Sequence, residues 1–138
     1  MLFLENADST MSSFLELGAD GWGSVEKRRM VEVRTIDDVC AEYGIGRIDI
    51  LKSDTQGYDL EVFRGAQQAF NRNMIGMVYC EINFSDLYIG QPRFEEVCSF
   101  LRTQGFQLAA LYTMHFHSRF VGWTDALFVN REYYRSVK

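Results

Sequence analysis

Ile48-Asp49-Ile50-Leu51-Lys52-Ser53-Asp54-Thr55-Gln56-Gly57-Tyr58-Asp59-Leu60-Glu61-Val62-Phe63 is the stretch that decides the fold. Residues 48–52 are rich in branched apolar side chains and read as a strand. Residues 53–57 are polar, close on a glycine and read as a turn. From Asp59 to about Phe70 the spacing becomes helical, with Leu60, Val62, Phe63, Ala66, Ala69 and Phe70 forming one apolar stripe. The unit is strand, turn, helix, the building block of an α/β sheet.

Working upstream, Gly44 and the run before it predict a helix on Ile36, Val39, Cys40 and Tyr43. Thr35-Ile36-Asp37-Asp38 supplies a start resembling a capping box, with acids that suit the helix dipole. Met30-Val31-Glu32-Val33-Arg34 alternates and predicts a strand; Leu2-Phe3-Leu4 predicts a short one. Residues 5–13 and 18–23 read as loops. Downstream, residues 75–82 predict a strand and 83–92 a loop holding the sole proline, Pro92. Phe94, Val97, Cys98 and Leu101 predict a helix ending at Gly105. Residues 106–112 predict a strand, 113–124 a loop, and 126–129 a final strand. Such alternation over 138 residues predicts a single α/β domain, with a mostly parallel sheet, helices packed on it and an antiparallel last strand.

In open α/β sheets, ligands sit beyond the carboxyl ends of the parallel strands. Two polar clusters fall there: Asp54-Thr55-Gln56-Gly57 and Glu81-Ile82-Asn83. Adjacent strands would bring Asp54 and Glu81 together, and paired carboxylates yield a base near neutral pH. The competing readings are an N-cap or turn acid for Asp54 and a strand-end ion pair for Glu81. Gly57 marks either a positive φ or a close helix approach. Tyr88-Ile89-Gly90-Gln91-Pro92 has the Gly and Pro of a shaped loop, placed where a substrate loop belongs. Asp125 reads as a strand-end cap or a substrate contact. His115 and His117 read as ordinary loop histidines, because two imidazoles do not make a metal site.

Composition narrows the function. Net charge is −5, without a basic cluster, which argues against a nucleic-acid surface. No run of 18 apolar residues predicts a membrane span. Met1-Leu2-Phe3-Leu4 before Glu5 is too short for a signal peptide. Cys40, Cys80 and Cys98 lie far apart, form no C-x-x-C pair and read as buried free thiols, the pattern of a reducing cytoplasm. There is no G-x-G-x-x-G, P-loop or G-x-S-x-G element.

The block from Ile48 to Ala66 resembles the hallmark of FkbM-family methyltransferases: Lys-x-Asp-x-Glu/Gln-Gly, then an acidic and apolar helix ending in Gly-Ala. Val33-Arg34-Thr35-Ile36-Asp37-Asp38 resembles the family's lead-in. Glu81, the loop from Leu87 to Pro92, Gly105-Phe106 and Asp125-Ala126-Leu127-Phe128-Val129 follow in the family's order, so the likeness spans about residues 30–130. It implies a partial Rossmann-like methyltransferase sheet, S-adenosylmethionine as cofactor, and O-methylation of a hydroxyl on a sugar or natural product as the reaction. It places Asp54 and Gln56 at the end of the family's fourth strand and Glu81 at the end of the fifth. Asp54 and Glu81 are then the catalytic candidates, with Gln56, Gly57, Tyr88, Gln91 and Asp125 contacting a small-molecule acceptor. Gln56 stands where many members have Glu. That removes one possible base, leaving Asp54 as the better base and Gln56 as an orienting group.

The family's Gly-rich cofactor loop and ribose-binding acid lie on two strands that would precede Met1. The resemblance thus implies the C-terminal part of the domain. With the family's first strand absent, Ile48-Asp49-Ile50-Leu51-Lys52 becomes a sheet edge, to be covered by the N-terminal segment, a second copy or a partner. The competing functions are a non-catalytic α/β remnant and a small-ligand binding module built on the Asp54–Glu81 rim.

Overall fold

A computed structural model describes residues 1–136. Its main sheet holds β3 (Ile48–Ser53), β4 (Ile75–Asn83), β7 (Phe120–Asn130) and β5 (Phe106–Leu111), in that spatial order, with β6 (His115–His117) paired to β7. β3 and β4 are parallel, and β7 runs antiparallel to both β4 and β5. β3, β4 and β5 therefore point one way, and β7 lies reversed between two of them. This is the partial Rossmann-like sheet that the family resemblance implies.

The strands divide their side chains by period two. Val78, Cys80 and Ile82 of β4, with Ala126 and Phe128 of β7, face a core built with Leu60 and Phe63, Ala69 and Phe70, and Val97 and Leu101. Those residues come from α2 (Asp59–Arg64), α3 (Gln67–Asn71) and α4 (Phe94–Thr103). Phe63, Leu101 and Val78 are fully buried. The opposite face carries Met77, Tyr79 and Glu81 of β4, only partly covered, and Ile50 of β3 is exposed.

The predicted start of α1 (Ile36–Tyr43) is observed: the Thr35 hydroxyl accepts from the Asp38 amide at 3.0 Å, and Gly44 ends the helix at φ 65°.

Four segments depart from expectation. The strand placed on residues 30–34 lies earlier, as β2 (Val25–Met30), paired antiparallel with β1 (Leu2–Asn6) in a separate two-stranded sheet. The pairing ends where β1 ends, Leu2 opposite Met30, so the alternation beyond has no strand to join. The helix over 59–70 is two helices, parted at Gly65 and Ala66. There the Asp37 carboxylate accepts the Gln68 and Ala69 amides at 2.8 and 2.9 Å and caps α3 from outside. The loop over 113–124 is largely a hairpin: β6 turns at Ser118 and Arg119, with Ser118 at φ 55°, straight into β7. α5 (Arg131–Ser136), absent from the sequence reading, starts where Asn130 Oδ1 accepts the Glu132 and Tyr133 amides.

The segment before β2 folds over the carboxyl-end rim. Ser13 Oγ donates to the Gln56 carbonyl at 2.7 Å, and Met11 packs with Leu87 and Tyr88. Among the described residues β3 pairs only with β4 and stands at the end of the sheet. The N-terminal segment lies at the rim and adds no strand to that edge.

Candidate functional site

The β3–β4 register pairs Ser53 with Cys80, which sets Asp54 and Glu81 side by side at the carboxyl end. The β4–β7 register then pairs Glu81 with Asp125 on one face. Asp59, first residue of α2, approaches from the helical side. Four carboxyl groups, one from the turn after β3 and one each from α2, β4 and β7, thus share one rim.

Each is held differently. Asp54 does not cap α2, whose N-cap position is Tyr58 without a side-chain bond. Instead it accepts from Lys52 Nζ and from Gln56 Nε2, both at 2.9 Å. A carboxylate only accepts, so the amide nitrogen of Gln56 must face Asp54. The Gln56 oxygen then faces the Tyr88 hydroxyl, which donates to it at 2.9 Å. The result is a chain from Tyr88 through Gln56 to Asp54. Gln56 holds φ 51° and Gly57 φ 85°, the tight turn that the glycine predicts. A Cβ at Gly57 would meet the Tyr88 ring at 3.0 Å.

Asp125 sits within β7 rather than at a strand end, so it is not a strand-end cap. Its Oδ2 accepts from the Tyr79 hydroxyl at 2.8 Å, a bond that leads in raising that phenol to about 12. Asp59 is buried and accepts from the Ser53 hydroxyl. Burial raises its carboxyl above the usual range, against the pull of the Ser53 bond. Among the described residues no cation pairs with Glu81, unlike the strand-end reading. Burial first, then the charges of Asp54, Asp59 and Asp125, push it up to about 7.

Tyr88 is 2% exposed, and Gln91 braces its own loop, accepting from the Tyr88 amide at 2.9 Å and donating to the Ser85 carbonyl at 2.7 Å. Both shape the rim rather than stand open on it. His115 stacks on Trp123, ring centroids 4.9 Å apart, and Trp22 lies against the same indole at 5.6 Å. His117 lies 3.6 Å from Asp20. Among the described residues, no group of three or more His, Cys, Asp or Glu is arranged to hold a metal. Cys80 is buried, which raises its thiol well above the usual range. No described helix is long and apolar enough to cross a membrane.

Sequence reasoning did not single out Asp59, Tyr79 or Lys52 as site residues. Asp59 reads as a first-turn acid. Its signal is the six-residue spacing from Ser53, which only the turn geometry turns into contact.

Residues 2–108 match the model of the methyltransferase FkbM domain. The 2-O-methyltransferase NoeI of Sinorhizobium fredii (strain NBRC 101917 / NGR234) is 33% identical over 82 residues, covering 52% of this chain. The match covers 33% of that protein, so the chain spans about a third of its length. No solved structure matches at a significant level.

Proposed function

The chain belongs to the FkbM methyltransferase family, and from that premise we propose that it forms the acceptor side of an S-adenosylmethionine-dependent O-methyltransferase acting on a hydroxyl of a sugar or natural product. The observation that carries this is the Asp54–Glu81 pair, set across adjacent parallel strands at the rim where α/β sheets bind ligands. Glu81, near neutrality, is poised to take the hydroxyl proton. Asp54, fixed by Lys52 and Gln56, accepts a hydrogen bond and orients the acceptor. The base role thus moves from Asp54 to Glu81, because burial lifts Glu81 while Lys52 and Gln56 occupy Asp54.

S-adenosylmethionine supplies the methyl group in this reading. The described residues do not fit the whole cofactor. No parallel strand is followed by a Gly-rich turn, and four carboxyl groups oppose the cofactor's own carboxylate. We assign its cradle to another part of the domain or to a partner chain, which also covers the β3 edge. Calorimetric titration with S-adenosylmethionine tests this. We expect no binding by this chain alone, and binding with methyl transfer once the cofactor strands are supplied. Tight binding by this chain alone overturns the assignment. Absence of binding and of methyl transfer in both arms favours the non-catalytic remnant.

A further inference from the structure

A notch of about 10 Å³ opens between the end of β4 and the start of α4, lined by Gly57, Asp59, Glu81, Asn83, Pro92 and Phe94 among others. That volume holds one water-sized group. Its polar side chains point to a specific kind of occupant. Asn83 is 8% exposed, and its Oδ1 is buried without a hydrogen-bond partner. Asp59 and Glu81 are carboxyl groups. Among the described residues no cation answers them: the Lys52 ammonium is bound to Asp54, and the groups that act on Glu81 are Asp54, Asp59, Asp125 and the Asn83 amide. An anion would be repelled here. A hydroxyl brings one proton to donate, whereas a primary ammonium brings three, for three acceptor side chains.

We propose that this notch seats a primary ammonium group of the acceptor, held by Asp59, Glu81 and Asn83. The proposal rests on reading the rim as the acceptor side, but the binding itself requires neither cofactor nor methyl transfer. Phe94 and Pro92 close the apolar side of the notch, so the ammonium enters and the body of the ligand stays at the rim. Inside, the cation faces the carboxyl groups of Asp59 and Glu81. It restores the charge balance that the cluster lacks and favours ionised Glu81.

The test is an NMR titration of the full chain near neutral pH with glucosamine, glucose and glucuronate. The three share a ring and differ in carrying an ammonium, no charge or a carboxylate. Glucosamine is expected to bind about tenfold more tightly than glucose, with glucuronate weakest, and to lower the titration midpoint of Glu81. Asn83→Leu is expected to abolish that preference. Equal binding of glucosamine and glucose overturns the proposal. So does glucosamine binding that leaves Glu81 unmoved, or a notch holding water only. The wild-type comparison stands even if the variant fails to fold. Absence of methyl transfer once the cofactor strands are supplied counts against the methyltransferase reading and leaves this result intact.

Discussion

Glu81 and Gln56 show how single side chains set the electrostatics of the rim. Glu81 is raised from 4.5 to about 7, so the folded state holds its proton more tightly than the unfolded chain does. The resulting stability is complete below about pH 4.5 and is lost as pH rises through 7. Glu81→Gln carries no such charge. It should gain about 1–2 kcal/mol on the wild type between pH 4.5 and 8, discounted for partial exposure. Urea unfolding midpoints across that range read the gain; a difference that stays flat with pH would refute the raised carboxyl. Gln56→Glu probes the same rim in the opposite sense. It places a second carboxyl where the Gln56 amide now donates to Asp54 at 2.9 Å. One of the two must take a proton or separate. The variant is expected to lose about 1 kcal/mol at pH 8 and to recover it at pH 4, by the same unfolding measurement.

At the scale of elements, the break between α2 and α3 shows what one distant carboxylate does. Asp37 lies in the first turn of α1, yet its two oxygens take the Gln68 and Ala69 amides. Asp37→Ala leaves those amides without their cap and should cost about 1–2 kcal/mol. Asp37→Asn keeps one acceptor and should cost less. Equal losses in the two variants, measured by chemical unfolding, would mean the cap contributes little. The same bond explains what was legible in the sequence. The unit from Ile48 to Phe63 and the Thr35 cap were readable because their signals are local: an apolar run, a glycine, a hydroxyl three residues before an amide. The helix break was not, since its cause lies some thirty residues away. The β6–β7 hairpin was hidden because Ser118-Arg119 is not a customary turn pair, and Ser118 takes its positive φ without a glycine. β2 was missed because its residues are almost all exposed and carry no periodic signal. Within the site, sequence position was enough to place Asp54 beside Glu81. It could not reveal that Tyr88 is buried under Gln56, or that Asp59 joins the cluster through Ser53.

For the molecule as a whole, the exposed edge of β3 is expected to govern behaviour in solution. Among the described residues β3 ends the sheet, and its backbone pairs with β4 alone. The strand has the features that protected edges avoid: six residues, no proline and no bulge. Ile50 is 57% exposed, and the charge of Lys52 is partly answered by Asp54. A row of free N–H and C=O groups beside exposed apolar surface is a template for another strand. The 16.0 kDa chain is therefore expected to associate as its concentration rises, seen as a growing mass in sedimentation velocity. Leu51→Pro removes a backbone donor, and Ile50→Lys puts a charge on the edge strand; both should shift the mass back toward the monomer. The lysine variant keeps every backbone donor of the β3–β4 ladder and is the cleaner probe. Supplying the strand-bearing remainder of a methyltransferase domain should compete with self-association, since both would occupy one edge. A wild-type chain that stays monomeric at every concentration, with the edge amides exchanging freely, would show that the edge recruits nothing.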